Sequence, residues 1–220
     1  MAKQTAGARQ TAATPLASGS ATANQPAIGD RIADELVEAI EAGIDVDEYC
    51  AARGAGAGHQ EVLEVYQLGW DLADYARALQ HGATHAECME VVSRQVDLWY
   101  YAAARRHGAT HAECTEIADR RESLYGYYMA RKEGTTHAEC LEILDRRANL
   151  GHYAKARETG ATHAECLEIL DRRANLGDYA WARQANVTHA ECMEALDHQV
   201  NLWDYAAARR HGATHTKVLE

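Results

Sequence analysis

The stretch HAECLEILDRRANLGHYAKARETGAT at residues 137–162 is followed directly by HAECLEILDRRANLGDYAWARQANVT at residues 163–188. The two blocks are each 26 residues long and share their first 15 residues. The same spacing, without insertion or deletion, separates seven histidines: His59, His85, His111, His137, His163, His189 and His215. An uninterrupted period of this kind is typical of stacked repeat arrays, in which every unit presents the same face to its neighbour.

The repeat extends over most of the chain. Counting back one unit from His59 gives a degenerate first copy, so the sequence contains seven complete units and a stub. The units are 33–58, 59–84, 85–110, 111–136, 137–162, 163–188 and 189–214, and the stub is 215–220.

Each unit contains the start and stop patterns of two helices. The first helix opens with a capping box, in which Thr84 and Glu87 bond to each other's backbone amides. The caps of the second helix are Asp45, Asp71, Asp97, Ser123, Asn149, Asn175 and Asn201. This helix ends before a glycine such as Gly108, just after its C-cap. The pattern predicts helices of about 12 and about 10 residues.

Apolar side chains mark the buried face of each predicted helix. In the third unit, the stripe of the first helix contains Cys88, Met89, Val92 and Val96. The inward positions of the second helix are Leu98, Tyr101, Ala102 and Arg105. One hairpin of this size cannot form a core alone, so the units must stack. The sequence therefore predicts an all-α fold, an α-solenoid of seven two-helix repeats with a disordered N-terminal tail.

The predicted tail covers residues 1–29, and the array covers residues 30–220. The tail has few bulky apolar side chains to offset the entropy of ordering, so we interpret it as flexible. Its lack of acidic residues also fits an organelle transit peptide, although its arginine content is low. A secretory signal is not expected, because no hydrophobic stretch follows its only charges, Lys3 and Arg9. The doublet AKQTA and ARQTA is either a partner-binding motif or a slipped duplication.

Composition and charge narrow the function classes. No run approaches the roughly 18 apolar residues of a membrane-spanning helix, so we expect no membrane segment. The 33 acidic residues exceed the 22 basic ones, and the net charge of −11 disfavours general binding to phosphate backbones. Residues 1–32 carry +2, because Lys3, Arg9 and Arg31 outnumber Asp30, so the array carries −13. A charge of this size is compatible with two further functions, binding of a basic partner and mimicry of DNA.

Histidine and cysteine recur three residues apart in five units, as in His85 and Cys88. This spacing places both on one helix face, but zinc needs four ligands and each unit offers two. The cysteine position is Val62 in another unit and Val218 in the stub, which indicates a small buried slot. We therefore expect free core thiols, no metal and no cofactor. Free thiols favour a reducing compartment such as the cytoplasm.

The repeated histidine also invites a catalytic hypothesis. A catalytic site needs a base paired with a nucleophile and an orienting group, and no serine or thiol differs from its copies. We expect the histidine to pack over the preceding turn or to bond to the neighbouring unit. The sequence therefore predicts a protein that is not an enzyme.

A tyrosine recurs in every second helix, and arginine follows it by four residues in six units, as in Tyr101 and Arg105. The spacing lets the guanidinium stack on the phenol ring and complement the helix C-terminus. Leu79 occupies the arginine position of one unit. This replacement favours a packing role for the arginines over the alternative, in which a row of arginines binds an anionic partner. On the first helix, glutamates are expected to form i, i+4 pairs with arginine: Glu142 with Arg146, and Glu168 with Arg172.

Positions that differ between copies are the better candidates for function. Positions 15 and 19 of the unit lie one turn apart on the second helix, away from its buried face, so we expect partial exposure. Aromatic and Met side chains in a continuous exposed ridge are typical of binding surfaces, although drift on a solvated face also produces variety. The candidate binding residues are Arg77, Trp99, Tyr125, Met129, Lys155, Trp181 and Trp203.

The sequence thus favours a scaffold that binds a protein or peptide through the variable positions of its second helices. One alternative is a nucleic-acid reader, suggested by arginine pairs such as Arg146 and Arg147. Net acidity disfavours that function unless the charges separate onto opposite faces. The other alternative is end-to-end self-association into filaments.

Overall fold

The computed structural model describes residues 28–220, where fifteen helices account for most of the residues and no strand occurs. The helices are α1 (Ile28–Glu41), α2 (Val46–Gly54), α3 (His59–Gln67), α4 (Leu72–Gln80), α5 (His85–Ser93), α6 (Leu98–Arg106), α7 (His111–Asp119), α8 (Leu124–Lys132), α9 (His137–Asp145), α10 (Leu150–Glu158), α11 (His163–Asp171), α12 (Leu176–Gln184), α13 (His189–Asp197), α14 (Leu202–Arg210) and α15 (His215–Leu219). The all-α repeat array is confirmed. Residues 1–27, with the AKQTA and ARQTA doublet, lie outside the described residues, and α1 begins two residues inside the predicted tail.

The helices form two layers. We call the odd-numbered helices A-helices and the even-numbered helices B-helices, so each unit contributes one of each. Successive B-helices lie in close backbone contact, and successive A-helices do not approach as closely. Small side chains permit this approach: a Cβ added to Gly126 in α8 would lie 2.9 Å from the backbone nitrogen of Gly151 in α10. The B-helices therefore form the tightly packed layer of the stack.

The A-helices are shorter than the sequence predicts. Helices α2 to α14 each have nine residues, and α5 ends at Ser93, so Val96 lies in the turn rather than in the predicted apolar stripe. The reason is a Schellman motif, in which the amide of Gln95 bonds to the Val92 carbonyl and that of Val96 bonds to the Val91 carbonyl.

This turn is unusual because its left-handed residue is rarely glycine. Gly43 and Gly69 occupy the position in the first two units, with φ of 87° and 74°. In the other five it is held by Gln95, Arg121, Arg147, Arg173 and Gln199, with φ of 58–60°. A non-glycine residue in this region costs about 1–2 kcal/mol, so the surrounding packing must hold these turns in place.

The core repeats the same few side chains in each unit. The cysteine position and a β-branched residue of the A-helix, such as Cys88 and Val91, face Leu98 and Tyr101 of the B-helix. Tyrosine is the largest fully buried side chain among the described residues. A buried phenol needs a hydrogen-bond partner for its hydroxyl.

That partner is the repeated histidine of the next unit. Each buried tyrosine places its hydroxyl 2.7–3.1 Å from a histidine Nδ1, as in Tyr153 and His163. The histidine Nε2 lies 3.0–3.3 Å from a glutamate on the preceding A-helix, which for His163 is Glu142. Because a carboxylate only accepts, Nε2 carries the proton, and in the neutral ring Nδ1 accepts from the tyrosine. The expected bond to the neighbouring unit is confirmed, and we call this arrangement the Tyr-His-Glu contact.

Candidate recognition surface

The variable positions lie on the outer face of the B-helices. Trp99 is 39% exposed, Tyr125 47% and Trp203 51%, and Lys155 is also exposed. The other three candidates are half-buried: Arg77, Met129 and Trp181. The expected partial exposure of these positions is therefore observed.

The aromatic side chains form two groups rather than one continuous ridge. Trp99 packs edge-to-face on Tyr100 and Tyr128, with ring centroids 5.0 and 5.5 Å apart, and Tyr125 lies 5.5 Å from Tyr100. Trp181 and Trp203 stack in parallel with centroids 4.1 Å apart. No ring contact joins the two groups within residues 28–220. The reason is that position 15 is Gly151 in the intervening unit and Gly177 in the unit that contains Trp181.

Each group has cations beside it that the sequence analysis missed. The Arg210 guanidinium lies 5.0 Å from the centre of the Trp181 ring, within reach of a cation–π interaction. Arg106 and Lys132 border the group that contains Trp99. These cations share position 22 of the unit, which lies on the same helix face as positions 15 and 19. That position also varies between copies, being Gln80 in one unit, so the same reasoning could have found it.

The formal charges divide between the two layers. The A-helices from α3 to α13 contain 16 acidic side chains and no Lys or Arg. The B-helices from α4 to α14 contain ten basic and four acidic side chains. The acidity of the array is thus carried by the A-helices, and the B-helices are cationic. Because the charges are separated in this way, an anionic partner can bind the cationic B-helices even though the protein as a whole is acidic.

The arginines that follow the buried tyrosines join neighbouring units. Three of them lie 5.8–6.0 Å from the tyrosine ring centre, namely Arg105, Arg183 and Arg209. Arg105 also donates to the Gly82 carbonyl of the preceding unit at 2.7 Å, and Arg131 donates to the Gly108 carbonyl at 3.0 Å. These half-buried side chains donate hydrogen bonds to turn carbonyls that would otherwise lack a partner, in agreement with the packing role that the sequence favours.

Arginines at the end of the A-helices also reach the next unit. Arg120 donates to Asp145 at 2.7 Å, and Arg172 bonds to Asp197. The expected pair of Glu142 with Arg146 forms at 2.8 Å. The expected pair of Glu168 with Arg172 does not form, because Arg172 turns to Asp197 and Glu168 accepts from His189.

Five of the six cysteines occupy buried slots, and Cys50 is exposed. Cys88, Cys114, Cys140, Cys166 and Cys192 are at most 1% exposed, and no disulfide joins them. Burial raises the pKa of Cys88 to about 12 and that of Cys140 to about 11, so both thiols stay protonated. Among residues 28–220, no group of three His, Cys, Asp or Glu side chains has the arrangement of a metal site. The expected core thiol is confirmed.

The fold and this surface define a helical repeat array built from two-helix units. The chain matches no protein-family model, no curated protein and no solved structure. In the part of the chain that the structure describes, every helix is too short or too polar to span a bilayer.

Proposed function

We propose that the array is a non-enzymatic scaffold that binds an acidic peptide segment of a partner protein along its B-helices. The observation that carries this proposal is the exposure of Trp99, Tyr125 and Trp203 at positions where other units have Gly or Ala. Stacking does not require bulk there, because Gly151 and Gly177 serve in its place. Exposed Trp and Tyr are the residue types that contribute most to binding energy.

The charge of the B-helices supports an acidic partner. Arg106 and Arg210 border the two aromatic groups, while the carboxylates of the array lie mainly on the A-helices. An acidic peptide laid on this layer meets cations and flat apolar rings, and it avoids the carboxylates of the other layer.

A role in binding rather than catalysis fits the state of the histidines. His163 has Tyr153 on Nδ1 and Glu142 on Nε2, so neither nitrogen is available to a substrate. The other repeated histidines make the same contact, so no single unit provides a distinct base. The buried free thiols fit a reducing compartment such as the cytoplasm.

Selection from a library of randomised peptides displayed on phage, with the full chain as bait, tests this proposal. We expect enriched peptides to be acidic and to bind at least tenfold more weakly to a Trp99→Ala, Trp203→Ala double variant. Leu68→Ala is the matched control, because Leu68 is 51% exposed at the end of an A-helix. Peptides that bind the double variant as tightly as the parent would contradict the proposal.

Single-stranded nucleic acid is a second candidate, favoured by the stacked Trp181 and Trp203 beside Arg210. Bases stack on such rings without sequence preference, and nearby cations hold the backbone. A fluorescently labelled oligonucleotide of mixed sequence tests it by anisotropy. Binding that weakens in Arg210→Gln and with added salt supports this candidate, and an unchanged anisotropy at micromolar protein removes it.

A further inference from the structure

A depression of about 370 Å³ lies on the surface shared by α4, α6 and α8. Its lining includes the rings of Trp99 and Tyr128 and the cationic side chains of Arg77, Arg106 and Lys132. Its volume is in the range of sites that hold small ligands or single side chains. No acidic residue belongs to its lining.

The two rings give the depression flat, rigid walls. Trp99 and Tyr128 stand almost perpendicular, at an interplanar angle of 85°, with centroids 5.5 Å apart. The His107 ring lies 6.0 Å from the Tyr128 ring and is tilted by 36° relative to it. Because Trp99 is 39% exposed, part of its ring remains free to stack on a planar group.

The cations beside these rings are only partly neutralised. The Arg106 side chain makes no hydrogen bond or ion pair with any other residue of 28–220. Lys132 has the neighbouring Glu133 at 3.8 Å, which is a weak contact at an exposed site. Arg77 pairs with Asp74 on its own helix. A net positive charge therefore remains at the mouth of the depression.

Two histidines, His81 and His107, lie beside these cations. Burial, followed by the charges of Arg106 and Arg77, lowers the pKa of His81 below its ordinary value. Burial, followed by Arg106 and Lys132, lowers the pKa of His107 in the same way. Both rings line the depression and offer further nitrogen atoms to an anionic group.

We propose that this depression binds a phosphate ester attached to a flat ring, with the ring against Trp99 and Tyr128 and the phosphate between Arg106, Lys132 and Arg77. A doubly charged phosphate suits several convergent cations better than a single carboxylate does. The source of this group is either a phosphotyrosine of a bound peptide or a nucleotide. The site shares Trp99 and Arg106 with the proposed scaffold surface but goes beyond that function, because its ligand is a phosphate ester and it does not use Trp181 or Trp203.

Titration of the full chain, followed by Trp fluorescence and isothermal calorimetry, tests the site. The probes are phosphotyrosine amide, adenosine monophosphate, tyrosine amide and inorganic phosphate. We expect at least one ring phosphate to bind tenfold more tightly than tyrosine amide and inorganic phosphate. The tighter of the two ring phosphates identifies the source.

Two variants assign the binding to this depression. Arg106→Gln and Trp99→Ala are each expected to weaken the ring phosphate at least tenfold. Lys217→Gln, which removes one exposed cation of α15 away from the depression, is the control and leaves it unchanged. Equal binding of inorganic phosphate, or binding that survives both variants, overturns the proposal. Selected peptides that depend on Trp203, together with ring phosphates that bind Arg106→Gln as tightly as the parent, leave the scaffold function standing while this site fails.

Discussion

Replacing His163 by Ala tests how the units are held together. The Tyr153 hydroxyl lies 2.9 Å from His163 Nδ1, and His163 Nε2 lies 3.0 Å from Glu142. The tyrosine and histidine rings meet edge-to-face, with centroids 5.7 Å apart. Tyr153 is fully buried, whereas the Glu142 side chain is 45% exposed. The two ends of the contact are therefore expected to contribute unequally.

The expected cost of His163→Ala comes mainly from the buried end. Loss of the edge-to-face contact costs about 0.5–1.5 kcal/mol. The Tyr153 hydroxyl then has no partner in the core, which costs about 1–3 kcal/mol. The exposed pair with Glu142 contributes at most about 1 kcal/mol. We expect a decrease of about 2–4 kcal/mol in the free energy of unfolding.

A double-mutant cycle with Tyr153→Phe separates this mechanism from loss of packing alone. In the parent chain, Tyr153→Phe is expected to cost about 1 kcal/mol, because it removes a hydrogen bond. In the His163→Ala background, the same change is expected to be neutral or stabilising, because it removes an unpaired hydroxyl from the core. The expected coupling is about 1–2 kcal/mol.

Urea denaturation of the full chain, followed by circular dichroism at 222 nm, measures all four variants. Because each unit contacts only its neighbours, weakening this central interface is also expected to broaden the transition. Additive effects of the two substitutions, with no coupling beyond about 0.3 kcal/mol, would refute the Tyr-His-Glu contact as described.

Three further predictions concern the turns, the carboxylates and the thiols. Arg147→Gly is expected to raise the free energy of unfolding by up to about 1 kcal/mol in urea denaturation, because φ of 58° strains an arginine, whereas Gly108→Ala at φ of 81° lowers it by about 1 kcal/mol. Hydrogen bonds from His163 and Arg146 hold the pKa of Glu142 below its ordinary value of 4.5, so its contribution is present above pH 4.5 and lost as the pH falls through the lowered pKa. Thermal melts between pH 6 and pH 3 are expected to show a smaller acid-induced decrease in Tm for Glu142→Gln than for the parent; an equal decrease contradicts this. Cys166→Val is expected to change stability by less than about 1 kcal/mol, since Val62 occupies the same slot, and a larger loss indicates a specific need for the thiol.

The number, order and caps of the helices follow from the sequence because each unit repeats the same capping residues and the same apolar pattern. Thr84 and Asp97 cap their helices with side-chain bonds to the following turn, as the pattern requires. The predicted length of the A-helix was wrong, because nothing in the sequence around Gln95 indicates that this residue adopts a left-handed conformation and ends the helix. Gly69 at the equivalent position of another unit was the available indication.

The partners of the histidines could not be derived from spacing alone. The sequence places Tyr153 ten residues before His163 and Glu142 twenty-one before it, but only the packing of two units brings them together. The division of charge between layers was readable from the sequence once the helices were assigned. The depression beside Trp99 was not readable, because it needs side chains from three units at once.

Site-specific photocrosslinking tests most directly whether the B-helices form the recognition surface. A benzophenone amino acid is placed at Ala207 of α14 in one variant and at exposed Ala190 of α13 in another. Position 207 is equivalent to Trp181, so it is expected to accept the larger side chain. With a peptide selected on the parent chain, we expect a crosslink from position 207 and none from position 190. A crosslink from position 190 alone would contradict binding along the B-helices and assign it to the acidic A-helices.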